Sequence, residues 1–172
     1  MDNREASRDE LRLAIATKAF QLIDEEVRPF IAEGGQIWTK GSRGYPTRMR
    51  KLLEKLDVDI PVSHATKEAL LLPVGQRIVE HVLPMKRIVI EIIDPNQADP
   101  RSNTSNAPIY EGPATSPRHL IEIFDHLLTK CWVTRAEHDR LNTAAKSLQW
   151  DAPNGNGWLR YERASVIPYP LV

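Results

Sequence analysis

Glu80 and His81 are adjacent side chains that can carry out acid–base or metal chemistry. They stand in the otherwise apolar stretch "GQRIVEHVLPMKRIVIEIID", residues 75–94. A histidine titrates near neutral pH and can act as a general base, and a carboxylate can bind a metal ion. The two residues can equally form a hydrogen-bonded pair at the edge of the core or lie on its solvated face. Both interpretations remain open from the sequence.

The stretch "EHVLP", which begins at Glu80, resembles the opening of HNH-type nucleases, where an acid and a histidine precede a short apolar step and a proline. This resemblance implies that His81 is the general base and that Glu80 is a ligand of a divalent metal. In that family a loop with an asparagine follows, and then a helix with a second histidine. The residues that keep this order here, at different spacing, are Asn96, Asn103 and Asn106, followed by His119 or His126.

A second candidate metal site lies in "RHLIEIFDHLL", where His119, Glu122 and His126 share one face of a predicted helix. Glu122 and His126 are four residues apart and can share a divalent metal, with a third ligand from Glu80 or His81. The opposite face of this helix is apolar. A surface helix fills its wet side with polar residues, so a solvated face is the alternative.

The segment "WTKGSRGYPTRMRKLLEK", residues 38–55, is basic and rich in glycine. Glycines let backbone N–H groups approach a phosphate, a helix begins close by, and aromatic rings can stack on bases. The combination predicts contact with an anion, and nucleic acid is the preferred one. The candidate binding residues are Trp38, Lys40, Arg43, Tyr45, Arg48, Arg50 and Lys51.

The same basic residues have a structural alternative. The whole chain carries 23 basic and 23 acidic residues, and its formal net charge is zero. The basic segment can therefore pair with the acidic first helix through Asp24, Glu25 or Glu26. It also matches neither a P-loop nor a dinucleotide-binding fingerprint.

Cys131 is the single cysteine of the chain. It therefore excludes an intramolecular disulfide and a cysteine-based zinc site. Its neighbours Trp132 and Val133 favour a small buried side chain over a nucleophile. No cofactor is expected, except a divalent metal if the nuclease interpretation holds.

Local patterns predict the elements of the first half of the chain. "SRDE" reads as a capping box, with Ser7 as N-cap of the first helix and Glu10 three positions later. Pro29 should kink or end that helix. A second amphipathic helix is predicted for residues 47–56, and Ser63 is predicted to cap a short third one.

Residues 76–94 are ambiguous between helix and strand. "RIVEHVL" is short and β-branched, so it fits a strand or the start of a helix. From Pro84 onward the apolar residues recur at helical spacing, which favours a helix.

In the second half of the chain, residues 95–117 are predicted to form a long irregular loop. Ser116 should cap the next helix, and "CWV" should be extended. "TRAE" offers a capping box for a last helix that runs through Leu148. Residues 151–172 are predicted to be an irregular tail that packs on the domain.

These elements predict a single domain over residues 1–172, either mainly α or α+β with a small sheet of two or three short strands. Runs of helices without alternating strands argue against a doubly wound sheet. No apolar run approaches the ~20 residues of a membrane span, and the N-terminus has no signal-peptide pattern. A cytoplasmic location and no membrane partner are therefore expected.

The resulting functional prediction is a non-catalytic macromolecule-binding domain, with nucleic acid preferred and bound through residues 38–55. One alternative is a metal-dependent nuclease centred on Glu80 and His81. The other is a protein-interaction module, an inhibitor or accessory subunit, that uses residues 95–117 as its contact. The oligomeric state and the identity of the partner do not follow from the sequence.

Overall fold

A computed structural model describes residues 3–37, 44–58, 60–96, 109–110, 112–144 and 156–171. The helices are α1 (Asn3–Leu22), α2 (Arg28–Ala32), α3 (Tyr45–Asp57), α4 (Lys67–Leu70), α5 (Met85–Ile93), α6 (Pro117–Leu127), α7 (Arg135–Ala144) and α8 (Leu159–Arg163). The strands are β1 (His64–Thr66), β2 (Ile78–His81), β3 (Lys130–Val133) and β4 (Pro168–Pro170).

Helix α1 begins before the residue that the sequence predicts as its cap. It already includes Asn3, so Ser7 lies inside the helix. The predicted capping box at Ser7 is therefore wrong. Glu5 and Ala6 are good helix formers, and nothing in this stretch stops the helix from extending past the serine.

Pro29 interrupts regular α-helical hydrogen bonding between α1 and α2. A π-helical turn, Ile23–Val27, precedes it, and the N–H of Arg28 donates to the carbonyl of Ile23, five residues earlier. Proline has no N–H, and its ring collides with the carbonyl four residues before it in a regular α-helix. The wider turn relieves that collision, and the helix then resumes as α2.

Helix α3 packs on α1 through one apolar face. It starts two residues earlier than predicted, with Pro46 in its first turn and Gly44 before it in the left-handed conformation, φ 70°. Its buried residues recur at helical spacing, as the sequence predicts; they are Tyr45, Met49, Leu53 and Leu56.

The segment after Ser63 differs from its prediction. His64–Thr66 forms β1, and Thr66 caps the short α4, because its side-chain oxygen accepts the Ala69 N–H at 3.1 Å. Ser63 is therefore not the cap. Pairing of β1 in the sheet delays the helix by three residues.

The ambiguous residues 76–94 divide into a strand and a helix. Strand β2 is followed by Pro84 as the N-cap of α5, so the helix that was favoured from Pro84 onward is present. Almost every side chain of α5 is buried, including Arg87 and Glu91. These two form an ion pair at 2.7 Å, so neither charge is buried alone.

Two predicted caps of the second half are confirmed. The Ser116 side chain accepts the His119 N–H at 3.1 Å and starts α6. Thr134 and Glu137 form a reciprocal capping box at α7, with N–H···O distances of 3.2 and 2.7 Å. Residues 97–108 and 111 of the predicted loop, and Leu148 of the predicted last helix, lie outside the described residues.

The described part of the C-terminal tail is not irregular, contrary to the prediction. It contains α8 and then β4, which pairs antiparallel with β1. A three-residue strand with two prolines carries little local signal, and only its pairing with a distant strand defines it.

The strands form one mixed sheet in the order β2-β3-β1-β4. β1 and β3 are parallel, whereas β2 with β3 and β1 with β4 are antiparallel. The predicted α+β class with a small sheet is confirmed. The sheet has four strands, because the tail supplies one that the sequence pattern does not predict.

Two clusters of buried apolar side chains form the core of the described residues. The larger cluster joins α1, α3, α5 and α6. The smaller one lies between the sheet and helices α7 and α8, and includes Cys131, Leu141 and Tyr161. Within the described ranges, no helix is both long and apolar enough to cross a membrane.

Candidate functional site

Glu80 and His81 point to opposite faces of β2, because successive side chains alternate across a strand. Glu80 faces α7 and α8, where it contacts His138 and Arg160. His81 contacts Asp57 at the end of α3. The structure therefore does not bring the two residues predicted from "EHVLP" into one centre.

Glu80 is the hub of a largely buried polar cluster. One carboxylate oxygen contacts His138 Nδ1, and the other accepts from Arg160 at 2.7 Å. Arg160 also donates to the carbonyl of His81 at 3.1 Å. Asn142 lies one turn after His138, and its Nδ2 is 2.9 Å from the other ring nitrogen of His138, Nε2.

This cluster joins elements that are far apart in the chain. Glu80 and His138 are 58 positions apart, and Glu80 and Arg160 are 80 apart. The capping box at the start of α7 and the short helix α8 place the two partners over β2. Arg160 is only 5% exposed, so removing its carboxylate partner would leave a buried, uncompensated charge.

The chemistry available at this cluster is that of an oriented imidazole. A carboxylate on Nδ1 holds a histidine ring in one orientation and leaves Nε2 as the nitrogen that can accept a proton. Here Asn142 occupies the Nε2 side. Both carboxylate oxygens of Glu80 also have partners. The contacts therefore favour a structural role, in which the cluster holds α7 and α8 against the sheet.

Asp57 is the hub of the second cluster, on the opposite face. Its Oδ2 lies 2.8 Å from His81 Nε2, and its Oδ1 lies 2.8 Å from Lys130 Nζ. Burial alone raises the pKa of the Asp57 carboxyl, but the hydrogen bonds from His81 and Lys130 outweigh it and hold that pKa below its ordinary value. This carboxylate is thus stabilised as an anion between two bases.

The predicted metal ligands on α6 are not gathered around a common point. His119 Nδ1 accepts the Thr115 N–H at 3.2 Å, and the His126 ring lies 4.4 Å from that of Tyr110. Glu122 lines a cleft between α6 and α1. Among the residues the structure describes, no three His, Cys, Asp or Glu side chains form a group that could hold a metal ion.

The two described arginines of the predicted anion-binding segment are paired with carboxylates. Arg48 donates two hydrogen bonds to the carboxylate of Glu26, at 2.6 and 2.7 Å, in a bidentate arrangement. Arg50 donates one to Glu54 at 2.7 Å. The hydrogen bond that Arg48 donates to Glu26 is the main reason that the pKa of Arg48 is raised. Pairing with the acidic first helix, the structural alternative, is thus present at Glu26.

Tyr45 is not available for stacking on a base, which corrects the prediction. It is 0% exposed and packs edge-on against Phe30, with ring centroids 5.5 Å apart. Its place in the first turn of α3, on the apolar face, is what buries it. Lys51 is exposed, whereas Trp38, Lys40 and Arg43 lie outside the described residues.

Cys131 is a buried side chain in β3, as the sequence favours. Burial raises the pKa of its thiol to about 12. A thiol with so high a pKa is protonated at neutral pH and is a poor nucleophile.

The sequence interpretation missed an exposed apolar segment, Leu70–Val74, with the sequence "LLLPV". Leu71 is 85% exposed and Val74 is 64% exposed. The available signal was the run itself, five apolar residues at a helix stop. By itself the run predicts only the end of a short helix, because local patterns do not say which side of the fold a turn occupies.

The exposed segment adjoins one face of the sheet. The strand register places one side chain from each strand in a row across that face: Val79, Trp132, Ala65 and Tyr169. Helix α4 packs against β1 and β3. We call the surface formed by Leu70, Leu71, Val74, Val79, Trp132 and Tyr169 the apolar face.

Comparison with known proteins gives no match to a protein-family model, to a curated protein or to a solved structure.

Proposed function

We propose that this chain is a non-catalytic macromolecule-binding domain, and that it binds a protein partner on the apolar face. The observation that carries the proposal is the exposure of Leu71 and Val74 beside Leu70 in one turn. Contiguous exposed apolar side chains are typical of protein–protein interfaces. Burying each of them on binding contributes about 1.5–3 kcal/mol.

The segment is held in its exposed position by specific contacts. The Arg77 side chain donates to the carbonyls of Leu72, at 3.0 Å, and Leu70, at 3.4 Å. Its guanidinium also lies over the ring of Trp132, 4.7 Å from the centroid. These bonds fix the turn on the sheet, so the leucines are presented in a defined arrangement.

Site-specific crosslinking tests this proposal. We expect a photoreactive residue at Leu71 to crosslink a protein partner in the cell that makes this chain. The matched control carries the same residue at Leu11, which is also exposed but lies on α1. Adding Val74→Asp to the Leu71 variant should lower the crosslink yield at least tenfold, since tenfold corresponds to about 1.4 kcal/mol.

Two outcomes would overturn the proposal. One is the absence of any protein crosslink from position 71. The other is an equal yield of the same crosslinked proteins from positions 71 and 11, because the capture would then not depend on the apolar face. Melting curves of each variant show whether the fold is retained.

Nucleic-acid binding through residues 38–55 stays a prediction, as does metal-dependent cleavage at Glu80 and His81. One titration tests both: labelled DNA and RNA at two salt concentrations, with and without Mg²⁺, followed by a denaturing gel. Phosphate binding weakens steeply with salt because counterions are released. A domain that binds only protein should give neither a shift nor cleavage.

A further inference from the structure

Two cations flank the apolar face, and each is stacked on an aromatic ring. Arg77 lies over Trp132, at 4.7 Å from the ring centroid, and Lys67 Nζ lies over Tyr169, at 5.0 Å. A ring attracts a cation through its negative face, so both charges are held beside the apolar side chains.

Neither cation has a carboxylate partner within the part of the chain that the structure describes. Other cations among the described residues are paired with carboxylates, among them Arg48 with Glu26 and Lys130 with Asp57. Lys67 and Arg77 therefore leave positive charge at the edges of a surface whose centre is apolar. A partner that brings carboxylates to these edges would complement both features.

We infer that the apolar face binds an acidic segment of its protein partner, in which two carboxylates flank a large apolar residue. This inference rests on the proposed function and specifies the chemistry of its partner. The apolar residue packs on Leu71 and Val74, and the carboxylates meet Lys67 and Arg77.

The strand register places the two rings that carry the cations on the same face of the sheet. Trp132 and Tyr169 both pair with Ala65, on neighbouring strands to either side. Adjacent strands lie about 4.8 Å apart, so the backbones that carry the two rings are separated by about 10 Å. Side chains two residues apart share a face of an extended peptide, so carboxylates two positions before and two positions after an apolar residue place all three side chains toward this surface.

NMR titration of the full chain with two synthetic peptides tests the inference. The probes are Gly-Ser-Asp-Ser-Leu-Ser-Asp-Ser-Gly and the same peptide with lysine in place of both aspartates. We expect the acidic peptide to shift the amide signals of residues 67–79 and 169 and to bind at least tenfold more tightly. The difference in affinity between the two peptides should decrease as the salt concentration rises, because exposed ion pairs are screened.

The variant Lys67→Glu separates charge from folding. Lys67 is exposed, and among the described residues its side chain contacts the Tyr169 ring, so the fold should survive the change. We expect it to reduce binding of the acidic peptide at least fivefold and to improve binding of the basic one. Arg77→Glu should act in the same direction, but it also removes the bonds to Leu70 and Leu72.

Three results would overturn the inference. The first is equal binding of both peptides on the apolar face, and the second is signal changes confined to other residues. The third is no binding of the acidic peptide. A position-specific crosslink at Leu71 does not depend on any of these results. Protein binding on the apolar face can therefore be correct even if the partner segment is not acidic.

Discussion

At the scale of single residues, the alternation of side-chain direction along β2 decides whether the first two residues of "EHVLP" can act together. Two neighbouring side chains in a strand face opposite ways, so Glu80 and His81 enter different clusters. Each cluster has one carboxylate between two basic side chains: Glu80 between His138 and Arg160, and Asp57 between His81 and Lys130. The contacts of both clusters tie together parts of the fold that are distant in sequence.

Asp57 should make the stability of this protein depend on acid pH. Its pKa is lower in the folded chain than in the unfolded chain, so it contributes stability above its unfolded pKa of about 3.9. That contribution is lost as the pH falls through the lower, folded pKa. We expect Asp57→Asn to be less stable than the wild type at pH 7, by about 1–3 kcal/mol.

Urea unfolding of the wild type and Asp57→Asn at pH 7, 5, 4 and 3 measures this effect. The difference in free energy of unfolding between the two proteins should be largest at pH 7 and 5 and should become smaller below pH 4. The exposed Asp9, on α1, provides a matched control as Asp9→Asn. A difference that grows on acidification would contradict the assignment, because it would require a raised pKa.

At the scale of elements, the end of α8 shows how a tail without a strong sequence pattern acquires structure. The N–H of Val166 donates to the carbonyl of Tyr161 at 2.9 Å, and the N–H of Ser165 to that of Glu162 at 3.1 Å. These two bonds define a Schellman motif, which places one residue in the left-handed region. Here that residue is Ser165, with φ 53°.

Ser165→Gly should stabilise the protein. A non-glycine residue in the left-handed region is strained by about 1–2 kcal/mol, and glycine is not. Glycine also increases the entropy of the unfolded chain, so a net gain of about 0.5–1 kcal/mol is expected. Chemical denaturation of the wild type, Ser165→Gly and Ser165→Val measures it, with the β-branched valine expected to be the least stable. A glycine variant less stable than the wild type would rule out this account.

At the scale of the whole molecule, β4 forms one edge of the sheet and contains two prolines. At the β4 edge, the Leu171 N–H donates inward to the carbonyl of Ser63 at 2.8 Å. Alternation then turns the nitrogens of Pro168 and Pro170 outward, where they have no hydrogen to donate. An edge without donors cannot pair readily with another strand, so the prolines protect β4 from aggregation.

Replacing both prolines should expose this edge. We expect the double variant Pro168→Val, Pro170→Val to self-associate at concentrations where the wild type does not, because each valine supplies an outward N–H. Sedimentation velocity over a concentration series measures this. Pro73→Val, in the turn after α4 rather than in a strand, is the matched control. Identical sedimentation of all three proteins would show that the prolines do not block pairing.

Local chemistry made a good part of the fold predictable. The apolar stripe of α3, the Ser116 cap of α6 and the capping box of α7 depend on residues within about four positions of one another. Where a local pattern predicted the wrong helix start, either a longer-range contact or the extension of the helix toward its N-terminus was the reason. Pairing of β1 in the sheet moved the cap of α4 from Ser63 to Thr66, and α1 extended past Ser7.

The sequence by itself limited the fold to mainly α or α+β with a small sheet, and it predicted most helices of the described chain and the chemical types available at Glu80, His81 and Arg48. Only the tertiary structure decided which charges meet, that Tyr45 is buried and that Leu71 is exposed. Arg160 reaches Glu80 across 80 positions, and no local pattern encodes such a contact. Periodicity indicates which residues share a face, but burial and pairing depend on what the rest of the chain places against that face.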